Sequence, residues 1–203
     1  MVSLLRGFLV SIETCDDPRS RTDTYVYLGL SGRRGGGEFA LDSLEEDFAR
    51  GTVTTLRAGD LPSPESSAFW SLPADVRPIR GDRDTNHPVT RGIDLDALDH
   101  VYLRKSSVPL RYRYRRQAGA LMNVADDDDW KIGRVSVLLF GTEAGHEADY
   151  PRGRYTSRVF HRSGELWLGT PHGMQVLIPP AWDSALGIPP DSAGVDDDRF
   201  RLG

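Results

Sequence analysis

The sequence predicts an all-β protein, an antiparallel sandwich of two β-sheets. Three observations predict it. Short segments of alternating apolar and polar residues recur along the chain, glycine, proline and aspartate separate them, and almost nothing has helical spacing. Many short strands divided by turn signals indicate a sandwich or barrel and not an α/β enzyme fold.

The elements follow in order. Leu4 to Thr14 combines β-propensity with rough alternation. In Thr24 to Ser31, Tyr25, Tyr27 and Gly29 share one face, and Val26, Leu28 and Leu30 the other. A short strand from Glu38 to Leu41 is expected after a turn at Gly35, Gly36 and Gly37. Thr52 to Arg57 reads as the next strand. In Leu98 to Lys105, alternation sets Leu98, His100 and Tyr102 against Val101 and Leu103. Leu110 to Arg115 would carry three arginines on one face. Trp130 to Phe140 is the most apolar strand, and Tyr155 to His161, Leu166 to Gly169 and Met174 to Ile178 complete the set. Helix is expected only at Leu44 to Ala49, as one turn, and at Pro180 to Leu186, with proline at the first helical position and a stop at Gly187. The segment Gly59 to Gly92 holds five prolines and reads as an ordered insertion or a mobile loop.

Composition narrows the function classes. The chain has 203 residues, 38% hydrophobic and 27% charged, which suffices for one domain with a proper core. No apolar run reaches the roughly 18 residues that a membrane-spanning helix needs. The start lacks a basic head, a long apolar stretch and a small-residue cleavage site, so no signal peptide is expected. The expected location is soluble, either cytoplasmic or peripheral at a membrane. The single cysteine, Cys15, excludes an internal disulfide framework and a zinc ribbon. A net charge of −5 argues against general nucleic-acid binding. Of the 25 basic residues only Lys105 and Lys131 are lysine, an arginine skew that points to a GC-rich, bacterial coding sequence.

The order of several short motifs is more specific. Thr22-Asp23 leads into Tyr25 to Leu28. Phe48 is followed three residues later by Gly51, Asp94-Leu95 by Leu98, and Asp129-Trp130 opens the most apolar strand. This succession, from about Leu4 to Phe140, resembles the PLAT or lipoxygenase homology domain. On that resemblance, residues 1–140 form a PLAT-like sandwich with an insertion at 59–92. Residues 141–187 form a β extension packed on it, and 188–203 a loose polar tail. Read from the residues alone, Trp130 should anchor the space between two sheets. Phe48 should plug a sandwich end, with Gly51 supplying a backbone angle that other residues resist.

The resemblance implies binding, not catalysis. Its calcium-binding members hold Ca²⁺ with acidic loops at one end of the sandwich, and Ca²⁺ takes about six to eight oxygen ligands. The matching positions are Asp16, Asp23 and Asp129, with Asp128 as a spare. Against this, Lys105-Ser106 stands where many calcium-binding members carry His-Asp. The alternative is that Asp23 caps a turn and Asp126 to Asp129 form a solvated loop. For docking to a lipid surface, Phe69 and Trp70, joined by Leu72, are the candidate apolar tip; alternatively they fold back over a sheet edge. Arg111, Arg113 and Arg115, continued by Arg116, form a basic stripe for anionic headgroups or phosphate, or else they pair with the nearby aspartates. The expected partner is therefore membrane lipid or another protein, with no nucleic acid and an undetermined oligomeric state.

Enzyme signatures are poor. The chain has no Gly-x-Ser-x-Gly elbow, no phosphate-cradling glycine loop and no His-Glu-x-x-His helix. His146, Asp149, His161, Glu165 and His172 lie near one another in sequence without a strict metal-ligand spacing. Cys15, flanked by Asp16 and Asp17, is not expected to be an activated nucleophile.

Overall fold

The structure is a computed structural model that describes residues 2–18, 20, 22, 24–43, 47–62, 74–81, 86–109, 115–117, 120–122, 129–150, 155–169 and 174–181. It is all-β, and its only helical pieces among the described residues are short 3-10 turns. The strands are β1 (Ser3–Thr14), β2 (Thr24–Gly32), β3 (Gly35–Ala40), β4 (Val53–Gly59), β5 (Arg77–Pro78), β6 (Leu98–Pro109), β7 (Arg115–Gln117), β8 (Ala120–Met122), β9 (Trp130–Glu143), β10 (Thr156–Leu168) and β11 (Gln175–Ile178). A five-stranded sheet runs β10-β9-β1-β4-β5 and a four-stranded sheet runs β11-β6-β2-β3. All pairs in them are antiparallel except β4 with β5, and β7 pairs with β8 in a separate ribbon.

Alternation sets the inner faces. Phe8, Val10 and Ile12 of β1 meet Val26, Leu28 and Leu30 of β2 and Val101 and Leu103 of β6 in one buried core. Phe8 and Phe39 meet edge to face across the two sheets, with ring centroids 5.2 Å apart. Trp130 is fully buried in this core and donates its indole N–H to Thr14 Oγ1 at 3.1 Å. The expected roles of Trp130, Phe48 and Gly51 are all met. Phe48 packs on the Trp130 ring, and both Phe48 (φ 58°) and Gly51 (φ 66°) take left-handed backbone. Asp94 explains the Asp-Leu-x-x-Leu motif. It caps the 3-10 turn Leu95–Ala97 by accepting from the Asp96 N–H, and Leu95 enters the core.

Five expectations need correction. Gly35 to Gly37 are strand, not turn. The turn is Arg33-Arg34, and Gly32 pairs with Gly35 in a two-residue hairpin where a Cβ on Gly36 would strike the Leu30 carbonyl. Tyr155 to His161 and Leu166 to Gly169 are not two strands. They are parts of β10, which accommodates Gly164 and Glu165 as a bulge between Ser163 and Leu166. Pro180 does not start a helix, because it bridges Phe160 of β10. Leu98 packs against the core and not with His100 and Tyr102, because the register of β6 shifts between Gly32 and Ser31. Of the helical turn expected at Leu44 to Ala49, Asp47 to Ala49 are described and are not helical, since Phe48 takes φ 58°, and of the strand expected at Leu110 to Arg115 only Arg115, in β7, lies within the described residues.

Both open sides of the sandwich are stitched. Beyond β11 the chain crosses to the other sheet, where the His161 N–H donates to Pro179 O and the Ala181 N–H to Val159 O. On the opposite side Asn86 closes the edge of β3. Its Oδ1 accepts from the Ala40 N–H (3.1 Å) and its Nδ2–H donates to Ala40 O (2.9 Å).

Candidate functional site

The loops at one end of the sandwich hold two of the predicted acidic positions, Asp16 and Asp129. Asp16 stands two residues past the end of β1, and Asp129 directly precedes β9. The loop after β1 closes on itself: Ser20 N–H donates to Asp17 O at 2.9 Å, and the Ser20 hydroxyl donates to Cys15 O. Thr22 is buried and its Oγ1 accepts from the Thr24 N–H, fixing the start of β2. Gly169, opposite Asp129, has no Cβ to obstruct the Asp129 carboxylate.

Among the described residues, these positions do not gather into a cluster that could hold a cation. The Asp16 side chain is 76% exposed and is engaged by Arg50, with Nε 2.9 Å from Oδ1. No three His, Cys, Asp or Glu side chains converge among the described residues. Lys105, on the inner face of β6, is only 1% exposed. Asp23 and Asp128 lie outside the described residues. So do Phe69, Trp70, Leu72, Arg111 and Arg113, while Arg115 is described through its backbone pairing with Met122. The described donors, Asp16 and Asp129, do not by themselves fit Ca²⁺.

The His and Glu residues of the β9–β10 region do not gather. Glu165 pairs with Lys131 at the start of β9, whereas His146 lies beyond its end, where Thr142 Oγ1–H donates to His146 O. His161 belongs to a polar row across the outer face of the five-stranded sheet. Thr55, Ser11, Ser136 and His161 stand side by side on neighbouring strands, with Ser136 Oγ 3.0 Å from His161 Nδ1. Ser136 is fully buried, so this pair offers no accessible nucleophile. Asp149 is described only through its backbone, and His172 lies outside the described residues. Burial, and then the Glu165 charge, push the Cys15 thiol up, which agrees with an inert cysteine.

Sequence reasoning missed an aromatic platform on the outer face of the four-stranded sheet. Arg104 donates from Nε and Nη2 to the two Glu38 oxygens at 2.7 and 2.6 Å and lies 4.2 Å over the Tyr27 ring. The Tyr102 hydroxyl donates to Glu38 Oε1 at 3.2 Å, and its ring covers Gly29. Tyr25 continues the platform beside Tyr27. Leu177 of β11, in register with Tyr102, is 52% exposed, the one large hydrophobic exposed among the described residues. The alternation of Tyr25 and Tyr27 placed both rings on one face, but nothing in the sequence paired Glu38 with Arg104.

No protein-family model and no curated protein matches the chain. Among solved structures, the chain is similar to alpha-toxin from Clostridium absonum, with a TM-score of 0.48 and 17% identity over 88% of this chain and 32% of the toxin. It is similar to Clostridium perfringens alpha-toxin, with a TM-score of 0.46 and 15% identity over 86% of this chain and 31% of that one. It is also similar to coral 8R-lipoxygenase, whose calcium activation is ascribed to a C2-like domain, with a TM-score of 0.43 and 14% identity over 86% of this chain and 17% of that one. The chain thus spans about a third of each toxin and about a sixth of the lipoxygenase.

Proposed function

We propose that the chain is a non-catalytic, PLAT-like docking module that attaches to a lipid surface through the loops at one end of its sandwich. One observation carries this reading. The motif residues Phe48, Gly51, Asp94 and Trp130 all serve the architecture, and no cluster of three His, Cys, Asp or Glu side chains converges among the described residues, which supports a role for the loop end as a docking surface. Phe69 and Trp70, with Leu72, are the side chains proposed to enter the headgroup region, and Arg111, Arg113 and Arg115 the ones proposed to meet anionic lipid. Co-sedimentation with vesicles of phosphatidylcholine alone, and with added phosphatidylserine, tests it. Binding that drops in a Phe69→Ala, Trp70→Ala double variant supports the reading. No binding to either vesicle, with calcium or with chelator, removes it.

A second reading, an adaptor that binds only protein, is favoured by the tyrosine platform and the exposed Leu177. Partner capture that survives Phe69→Ala and Trp70→Ala but is lost in Leu177→Asp would place this reading first.

A further inference from the structure

We propose that the outer face of the four-stranded sheet is a platform for a neutral polysaccharide, with Tyr27 and Tyr102 stacking on sugar rings and Arg104 donating to their hydroxyls. The inference goes beyond the docking reading, since it concerns a sheet face and not the loop end.

The register lays the platform out in two rows across all four strands. Leu177, Tyr102, Gly29 and Glu38 form one row, and Gln175, Arg104, Tyr27 and Ala40 the next. Their chain neighbours Val176, Leu103, Leu28 and Phe39 are buried in the core, so alternation turns both rows outward. With strands roughly 4.8 Å apart, each row is about 14 Å wide, room for more than one sugar ring.

Tyr102 lies down on this face. Its Cζ and both Cε atoms come almost equally close to the point where a Gly29 Cβ would stand, so the ring rests its face, not its edge, on β2. The Tyr102 hydroxyl is fixed on Glu38 Oε1, and the Arg104 fork fills both Glu38 oxygens while lying over the Tyr27 ring. Rings and fork hold one another, and all four side chains remain partly exposed. A ligand therefore meets groups that are already ordered, which lowers the entropy lost on binding.

The chemistry selects the class of ligand. Glu38 and Arg104 are the only charged residues in the two rows, and they cancel in the fork, so an anion finds no free positive charge. A cation finds both carboxylate oxygens and the place over the Tyr27 ring already taken by Arg104. What is left is neutral: the outward face of the Tyr102 ring, the exposed Gln175 amide, and Arg104 Nη1, which has no partner among the described residues. An apolar ring face bordered by such groups complements a pyranose, whose flat C–H face is apolar and whose rim carries hydroxyls. A protein partner would instead want an apolar anchor for a well-packed pocket, and Leu177 stands on an open strand face.

Affinity electrophoresis of the full chain tests this, in native gels containing hydroxyethyl cellulose, glucomannan or arabinoxylan, with alginate as the acidic counterpart. At least one neutral polysaccharide should retard the chain and alginate should not. Tyr27→Ala and Tyr102→Ala should each weaken the retardation by about tenfold or more, and Tyr102→Phe, which keeps the ring, should retain most of it. Three results overturn the proposal: no retardation by any of the neutral polysaccharides, equal retardation by alginate, or retardation that both alanine variants leave unchanged. Should the alanine variants fail to fold, NMR of the unaltered chain titrated with cellohexaose and mannohexaose decides. Shifts in the Tyr27 and Tyr102 ring protons uphold the proposal, and unmoved ring protons overturn it. The probes are soluble and no vesicle is present, so failure here and failure of the docking reading are separable.

Discussion

Phe48 packs on Trp130 with ring centroids 5.0 Å apart and planes at 56°, and it does so from a left-handed backbone, φ 58°. A bulky residue pays for that conformation, so the stacking must outweigh a local strain of about 1 kcal/mol. Trp130→Ala should destabilise the chain by about 3–5 kcal/mol in urea unfolding. Phe48→Gly should cost less than Phe48→Ala, by roughly 1 kcal/mol, because glycine tolerates the backbone angle and alanine does not. An equal cost for the two would show that the strain is absent.

Glu38 and Asp94 give the fold an acid-sensitive margin. The hydrogen bonds from Arg104 hold the Glu38 carboxyl below its ordinary 4.5, against the upward push of burial. Burial pushes Asp94 up, but the Asp96 N–H, Arg34 and the Ser3 N–H outweigh it and hold that carboxyl below its ordinary 3.8. Both groups are depressed, so their stabilisation is complete above the ordinary carboxylate range and is lost as pH falls through their folded values. The stability gap between the unaltered chain and Glu38→Gln should be flat from pH 6 to 8 (about neutral) and should close under acid. A gap that persists at pH 2 or so would assign Glu38 a packing role instead.

Asp94→Ala removes an acceptor shared by the Asp96 N–H and Arg34, at the point where β6 is tied to β1. The expected loss is about 1–2 kcal/mol, the usual cost of a lost cap. Asp94→Asn, which retains one accepting oxygen, should recover part of it. Chemical denaturation of the two variants side by side measures this.

Asn86 presents both amide groups to Ala40, so Asn86→Leu leaves a strand-edge N–H and C=O without these partners. The expected cost is about 1–3 kcal/mol. Amide hydrogen exchange should localise the effect, with Ala40 exchanging faster and Leu28 in the middle of β2 unchanged. Uniform loss of protection would mean that Asn86 supports the whole fold and not one edge.

The fold was legible where one physical rule acted alone. Alternation in β1, β2, β6 and β9 set the inner faces, and a tryptophan opening the most apolar strand had to go between the sheets. It was misread where a residue type signals two things. Gly35 to Gly37 read as a turn, and Tyr155 to His161 and Leu166 to Gly169 as two strands, yet the first run is one arm of a hairpin and the other two are joined into one strand by a bulge. The candidate site was less legible. Lysine is read as exposed by default, although the alternation of Val101 and Leu103 already pointed Lys105 inward. The Glu38–Arg104 pair joins residues 66 positions apart, a separation at which residue type alone predicts no partner.

The place of β1 between β4 and β9 has a consequence for how the chain reaches its native state. Thr14 meets Trp130, 116 residues further along, and the strand that completes the four-stranded sheet comes later still. At a ribosomal rate of about 5–20 residues per second, the first strand waits roughly 6–23 s before its long partner exists. During that interval its apolar face has only β2 to β6 to cover it. Synthesis itself, and not the search for a topology, is then the slow step in which a holdase chaperone has time to act.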